Sequence, residues 1–105
     1  MITVENIRQA FPEPISYKDA QLHAPYYCVG GAFAMYVKDK TPDNLSEGER
    51  FPMNEQLLQL AIVINPTIEP TLALALIDEM TEHNDKGEFE LAWLCLDQLL
   101  RIREY

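Results

Sequence analysis

The chain has 105 residues, of which 48% are apolar and 24% charged, and a net charge of −9 at pH 7. This length suits one domain with one modest core, and the apolar content excludes intrinsic disorder. Residues 1–40 balance four basic side chains against four acidic ones, residues 41–105 set four basic against thirteen acidic, and no Lys or Arg lies between Phe51 and Asp85, so phosphate backbones and anionic membrane surfaces are not expected partners.

Met1-Ile2-Thr3-Val4-Glu5 has neither the basic start nor the apolar stretch of a leader peptide. The longest dense apolar run, Leu57 to Ile64, falls well short of the roughly 20 residues a bilayer span needs. The expectation is a cytoplasmic protein with Cys28 and Cys95 reduced.

In chain order, Thr3 is a candidate cap for a first helix in which Val4, Ile7 and Phe11 share a face, ended by Pro12 and Pro14. Ser16-Tyr17-Lys18-Asp19 fits a capping box and predicts a short helix from Tyr17 to Leu22. Tyr27 to Lys38 reads as a third helix with Cys28, Ala32, Met35 and Tyr36 on one side. Gly30-Gly31 weakens that helix and keeps a short strand open as the alternative. Lys38 to Phe51 is a long polar loop, with one turn of helix conceivable at Ser46-Glu47-Gly48-Glu49.

Asn54 is the expected cap of a helix from Glu55 to Ile64, with Phe51 and Leu58 placed as a staple across it. Its second half, Leu60 to Ile64, is apolar all round and is expected to be buried on every side. Pro70 suits the first turn of a helix from Thr71 to Asn84. Asn84-Asp85-Lys86-Gly87 reads as a turn, and a last helix runs from Glu88 to Arg103. Glu90, Asp97, Arg101 and Glu104 form a narrow polar strip on it. The remainder is so apolar that the helix is expected to be central in the fold or part of a self-association surface. Together these elements predict an all-α single domain over residues 1–105, an irregular bundle of four to five helices ending in an antiparallel hairpin.

Gly87-Glu88-Phe89-Glu90-Leu91-Ala92, followed by Leu96 and Leu99, resembles the second helix of a tetratricopeptide repeat. The preceding helix departs from that pattern, with Met80 where the repeat has Gly and His83 where it has an aromatic residue. The likeness covers about 15 of the 105 residues and occurs once. It implies a peptide- or protein-binding surface and no catalysis. Tyr27-Cys28-Val29-Gly30-Gly31-Ala32, with the Asn84-Asp85 turn, is also similar to small uncharacterised bacterial helical proteins, a resemblance that implies no activity.

Three groups of residues are candidate sites. Cys28, at a helix start where backbone N–H groups lower a thiol pKa, is the candidate nucleophile, with His23 and His83 as candidate bases; its ordinary role would be a small buried core residue. Asp78, Glu79, Glu82 and Asp85, with Glu88 and Glu90 nearby, crowd one hairpin end. They suggest docking of a protein with a basic surface, against the plainer reading of a solvated turn. Tyr26, Tyr27, Gly30 and Gly31 are candidate walls of a pocket for a small anionic or planar ligand, against half-buried tyrosines of no special role.

Cys28, Cys95, His23 and His83 suit zinc by identity, but no short Cys-x-x-Cys or His-x-x-x-His pair exists, so no metal and no cofactor is expected. The leading expectation is a non-enzymatic protein-binding adaptor or regulatory module, with homodimerisation through the last helix open. The alternatives are a small cysteine-dependent enzyme centred on Cys28 and a small-ligand-binding domain.

Overall fold

Thr3 starts the first helix as expected: its hydroxyl accepts from the Asn6 N–H at 3.1 Å, and the backbone coils through α1, Val4–Ala10. In the computed structural model, residues 2–12, 28–40 and 52–102 are described. The Tyr17–Leu22 helix, the Ser46–Glu49 turn and the Phe51 half of the staple lie outside them. The other described helices are α2, Val29–Val37; α3, Asn54–Ile64; α4, Pro70–Asp85; and α5, Phe89–Arg101. Among the described residues there is no strand, so the strand alternative at Gly30-Gly31 gives way to helix.

A helix interior tolerates those glycines because packing demands at least one of them. A Cβ on Gly30 would sit 2.8 Å from Leu57 Cδ1 and 3.2 Å from Met80 Cε, so α3 and α4 close on α2 only where the side chain is missing. α2 is the pivot of the bundle. Val29 to Met35 are all buried, and α2 packs against each of the other four helices. The most extensive packing joins α4 to α5 as the expected antiparallel hairpin. Its turn depends on Gly87, whose φ of +77° is a left-handed conformation that suits glycine.

Several boundaries differ from expectation, each for a local reason. Met53, not Asn54, is the N-cap of α3; the Met53 N–H is satisfied by Gln56 Oε1 at 2.8 Å. Asn54 is thereby released to tie α3 to α4, donating to Asp78 Oδ1 at 2.8 Å and facing the Thr81 hydroxyl at 3.2 Å. Pro70 occupies the first turn of α4, as expected, behind Glu69, whose carboxylate accepts from the Leu72 N–H at 2.9 Å. α4 runs one residue further than expected, through Asp85, and α5 ends at Arg101.

Burial of Leu60–Ile64 on every side does not hold. Leu60, Ile62 and Ile64 are only partly covered and Val63 is 73% exposed, because α3 lies at the edge of the bundle and turns one side outward. α5 contributes Ala92, Trp93, Cys95, Leu96, Leu99 and Leu100 to the core. It is tied to α1 by Arg8, which forks onto Glu90 at 2.6 and 3.0 Å and lies over the Trp93 ring. Among the described residues, no helix is long and apolar enough to cross a membrane.

Two buried asparagines hold the helix ends together. Asn65 is 1% exposed and donates its side-chain amide to the carbonyls of Leu99, at 3.0 Å, and Ile102, at 2.8 Å. These carbonyls belong to the last turn of α5, where intrahelical partners run out. Asn84 is 2% exposed and its Oδ1 accepts from the Val29 N–H at 2.9 Å, fixing the start of α2 to the end of α4.

Candidate functional site

The start of α2 brings together Cys28, Gly30 and Gly31. Cys28 is the N-cap, and its sulfur accepts from the Gly31 N–H at 3.2 Å. This is the placement in which helix N–H groups would acidify a thiol, but desolvation wins. Burial pushes the Cys28 thiol up to about 11, against the downward pull of the Gly31 N–H, and negative Asp85 adds to the rise. At neutral pH the sulfur is a protonated cap.

The direction has a consequence for stability. The folded state holds the Cys28 proton more tightly than the unfolded chain, whose thiol titrates near 9.0. Between pH 9 and about 11 the unfolded state therefore binds fewer protons, and stability falls as pH rises. We expect a loss of about 2–3 kcal/mol over that window, read from urea melts. Cys28→Ala should flatten that part of the profile. An unchanged profile in the variant would mean that the thiol is not the group responsible.

His83 does not face this cap. Its Nδ1 lies 3.0 Å from Glu88 Oε1 at the beginning of α5, while its neighbour Asn84 points to α2. His23, Tyr26 and Tyr27 lie outside the described residues. Gly30 and Gly31, the described half of the candidate ligand pocket, line a narrow cavity of about 20 Å³ with Cys28, Leu57, Asn84 and Asp85, room for about one water.

The acidic residues divide by face. Asp78 turns toward α3 and accepts from Asn54. Glu82 pairs with Lys86 at 2.9 Å, which holds its carboxyl below the usual range. Glu88 meets His83 and Glu90 meets Arg8, so much of the apparent cluster is compensated within the chain. Asp85 is exposed beside the pocket at α2. Glu79 faces α5, its carboxylate 4.0 Å from the Cys95 sulfur; burial and that carboxylate both raise the Cys95 thiol.

The Glu79–Cys95 pair also sets the hairpin register. Leu91 and Leu94, three residues apart on one side of α5, are 44% and 51% exposed. The outer face of α5 thus carries an exposed apolar pair, and Glu79 faces the same helix at Cys95. The sequence groups these leucines with the rest of the apolar side of the last helix, expected to be central in the fold or part of a self-association surface. On the helical wheel Leu94 lies between Glu90 and Gln98 and Leu91 lies just beyond Gln98, and this is the signal that separates them.

Among the described residues, no group of three His, Cys, Asp or Glu side chains is placed to hold a metal ion. The chain matches no known family, no curated protein and no solved structure.

Proposed function

We propose that this chain is a non-enzymatic adaptor or regulatory module that binds another protein through the outer face of the α4–α5 hairpin. The observation that carries this reading is the exposure of Leu91 and Leu94, 44% and 51%, on the helix that Glu79 faces. Apolar side chains at the centre of a patch with charge at its rim are the composition of a protein interface. The acidic rim selects a partner with basic side chains around an apolar anchor. A second copy of this chain, itself carrying a net charge of −9, would set acid against acid, which disfavours the homodimer. A thiol kept protonated by burial supplies little nucleophile at neutral pH, which weighs against an enzyme centred on Cys28.

The test is recovery of cross-linked partners from native cells with wild-type chain, Leu91→Ser/Leu94→Ser and Glu79→Gln/Glu82→Gln. Surface substitutions of this kind change stability by only about 0.5 kcal/mol, so all three chains fold. The reading expects a partner that the double serine variant loses and the double glutamine variant holds more weakly. Its affinity should also fall between about 0.05 and 0.3 M salt. Equal recovery by all three chains would refute it.

A further inference from the structure

We propose that the exposed side of α3 is the contact between two copies of this chain, paired antiparallel about a two-fold axis. Met53, Gln56, Leu60 and Val63 follow one another at steps of three, four and three residues, so they form one stripe along the helix. Such a stripe is the seam by which two helices pack. Met53 is 60% and Val63 73% exposed, Gln56 is exposed and Leu60 is only partly covered. A segment as apolar as Leu60–Ile64 is stable when every side is covered, and this bundle buries only the Leu57–Ala61 side of α3.

Charge decides what covers the rest. The chain carries a net charge of −9, yet residues 56–68 hold no charged side chain. A basic partner finds no carboxylate to pair with on this stretch. A second copy, repelled at the acidic hairpin, meets here an uncharged surface identical to its own, and apolar, charge-depleted contacts are the composition of homodimer interfaces. The neighbouring groove at Ile64 differs: Glu5, Asp97 and Arg101 line it, so the contact is placed on the Leu60–Val63 side. Glu55, exposed in the first turn of α3, sets the direction. Parallel pairing would bring two such carboxylates and two helix N-termini together. Antiparallel pairing keeps them at opposite ends and sets Met53 of one copy against Val63 of the other. α3 has 11 residues, a length of about 16 Å, so the contact is smaller than the about 800 Å² per partner of a standard interface, and the dimer is weak, with a dissociation constant of about 0.1 mM. This face is separate from the hairpin face proposed above, and either can fail alone.

Sedimentation equilibrium of the full chain, from about 0.01 to 1 mM and at about 0.05 and 0.5 M NaCl, tests the pairing. The expected result is a monomer–dimer equilibrium with more dimer at high salt, because salt screens the repulsion between two chains of net charge −9 and leaves the apolar contact in place. Val63→Glu should weaken the dimer about tenfold or more, by setting an unpaired carboxylate against apolar side chains. Adding Met53→Lys to that variant should restore it, since antiparallel pairing puts the two charges across the contact. Both positions are exposed, and far-UV circular dichroism checks that these variants keep the helical fold. Leu91→Ser/Leu94→Ser should dimerise like the wild type. A monomer throughout, a dimer that weakens with added salt, an undiminished dimer in Val63→Glu, no restoration by Met53→Lys, or loss of the dimer in Leu91→Ser/Leu94→Ser would each overturn the proposal.

Discussion

Phe33→Ala is expected to lower the unfolding free energy by about 3–5 kcal/mol, a large share of the 5–15 kcal/mol typical of a domain. Phe33 is 0% exposed in α2, which, like α5, touches all four other described helices. Removing its ring both forfeits the transfer of apolar surface and leaves a cavity. A close-packed interior has little freedom to fill it. The midpoint of urea unfolding reads the loss. A change under about 1 kcal/mol would show that α2 is not the centre of the core.

Asn65→Asp should cost a similar amount at pH 7, about 3–5 kcal/mol, though it changes a single side-chain group. The native amide donates to Leu99 O and Ile102 O from a site 1% exposed. A carboxylate there would point negative oxygen at two carbonyl oxygens with water excluded, so the folded state would favour its neutral form and raise its pKa. The unfolded chain, with an ordinary Asp near 3.9, then binds fewer protons than the folded one as pH rises above about 4. The penalty should thus be smallest below pH of about 4, where the protonated acid can still donate to one carbonyl, and grow toward neutrality. Denaturant melts of both chains at pH 3.5–4 and pH 7 would check this; a penalty independent of pH would contradict the assigned hydrogen bonds.

These two positions also mark what the sequence could reveal. Apolar spacing foretold the helices of α1, α3, α4 and α5 to within about two residues, because a continuous greasy stripe has few ways to leave water. Thr3 and Pro70 mark helix starts through chemistry that is local. Gly30 was ambiguous because its role depends on Leu57 and Met80, which come from distant segments. The asparagines were misjudged for an instructive reason. Asn84 looks like the first residue of a turn, but it continues the stripe Ala73, Ile77, Met80 by one step. Asn65 likewise extends Leu57 and Ala61. A polar residue in register with a buried stripe signals a buried hydrogen bond, and that signal was present in the spacing.

The candidate sites were less legible than the fold. Cys28 was placed correctly at a helix start, but the sign of its pKa shift depends on burial contributed by the rest of the bundle. The acidic hairpin end looked uniform in one dimension, whereas neighbouring positions on a helix diverge by 100°. Asp78 therefore faces α3 and Glu79 faces α5. The exposed pair Leu91 and Leu94 emerged only once the opposite side of α5 was seen to be sufficient for the core.

Photo-cross-linking in native cells tests the binding face most directly. A photoreactive side chain is placed at position 91, at position 94, or at position 63, where Val63 is even more exposed but lies on α3. The account expects adducts of one discrete partner mass from positions 91 and 94, and from position 63 only the dimer of the chain itself. Partner adducts from position 63 alone, or from none of the three, would contradict it.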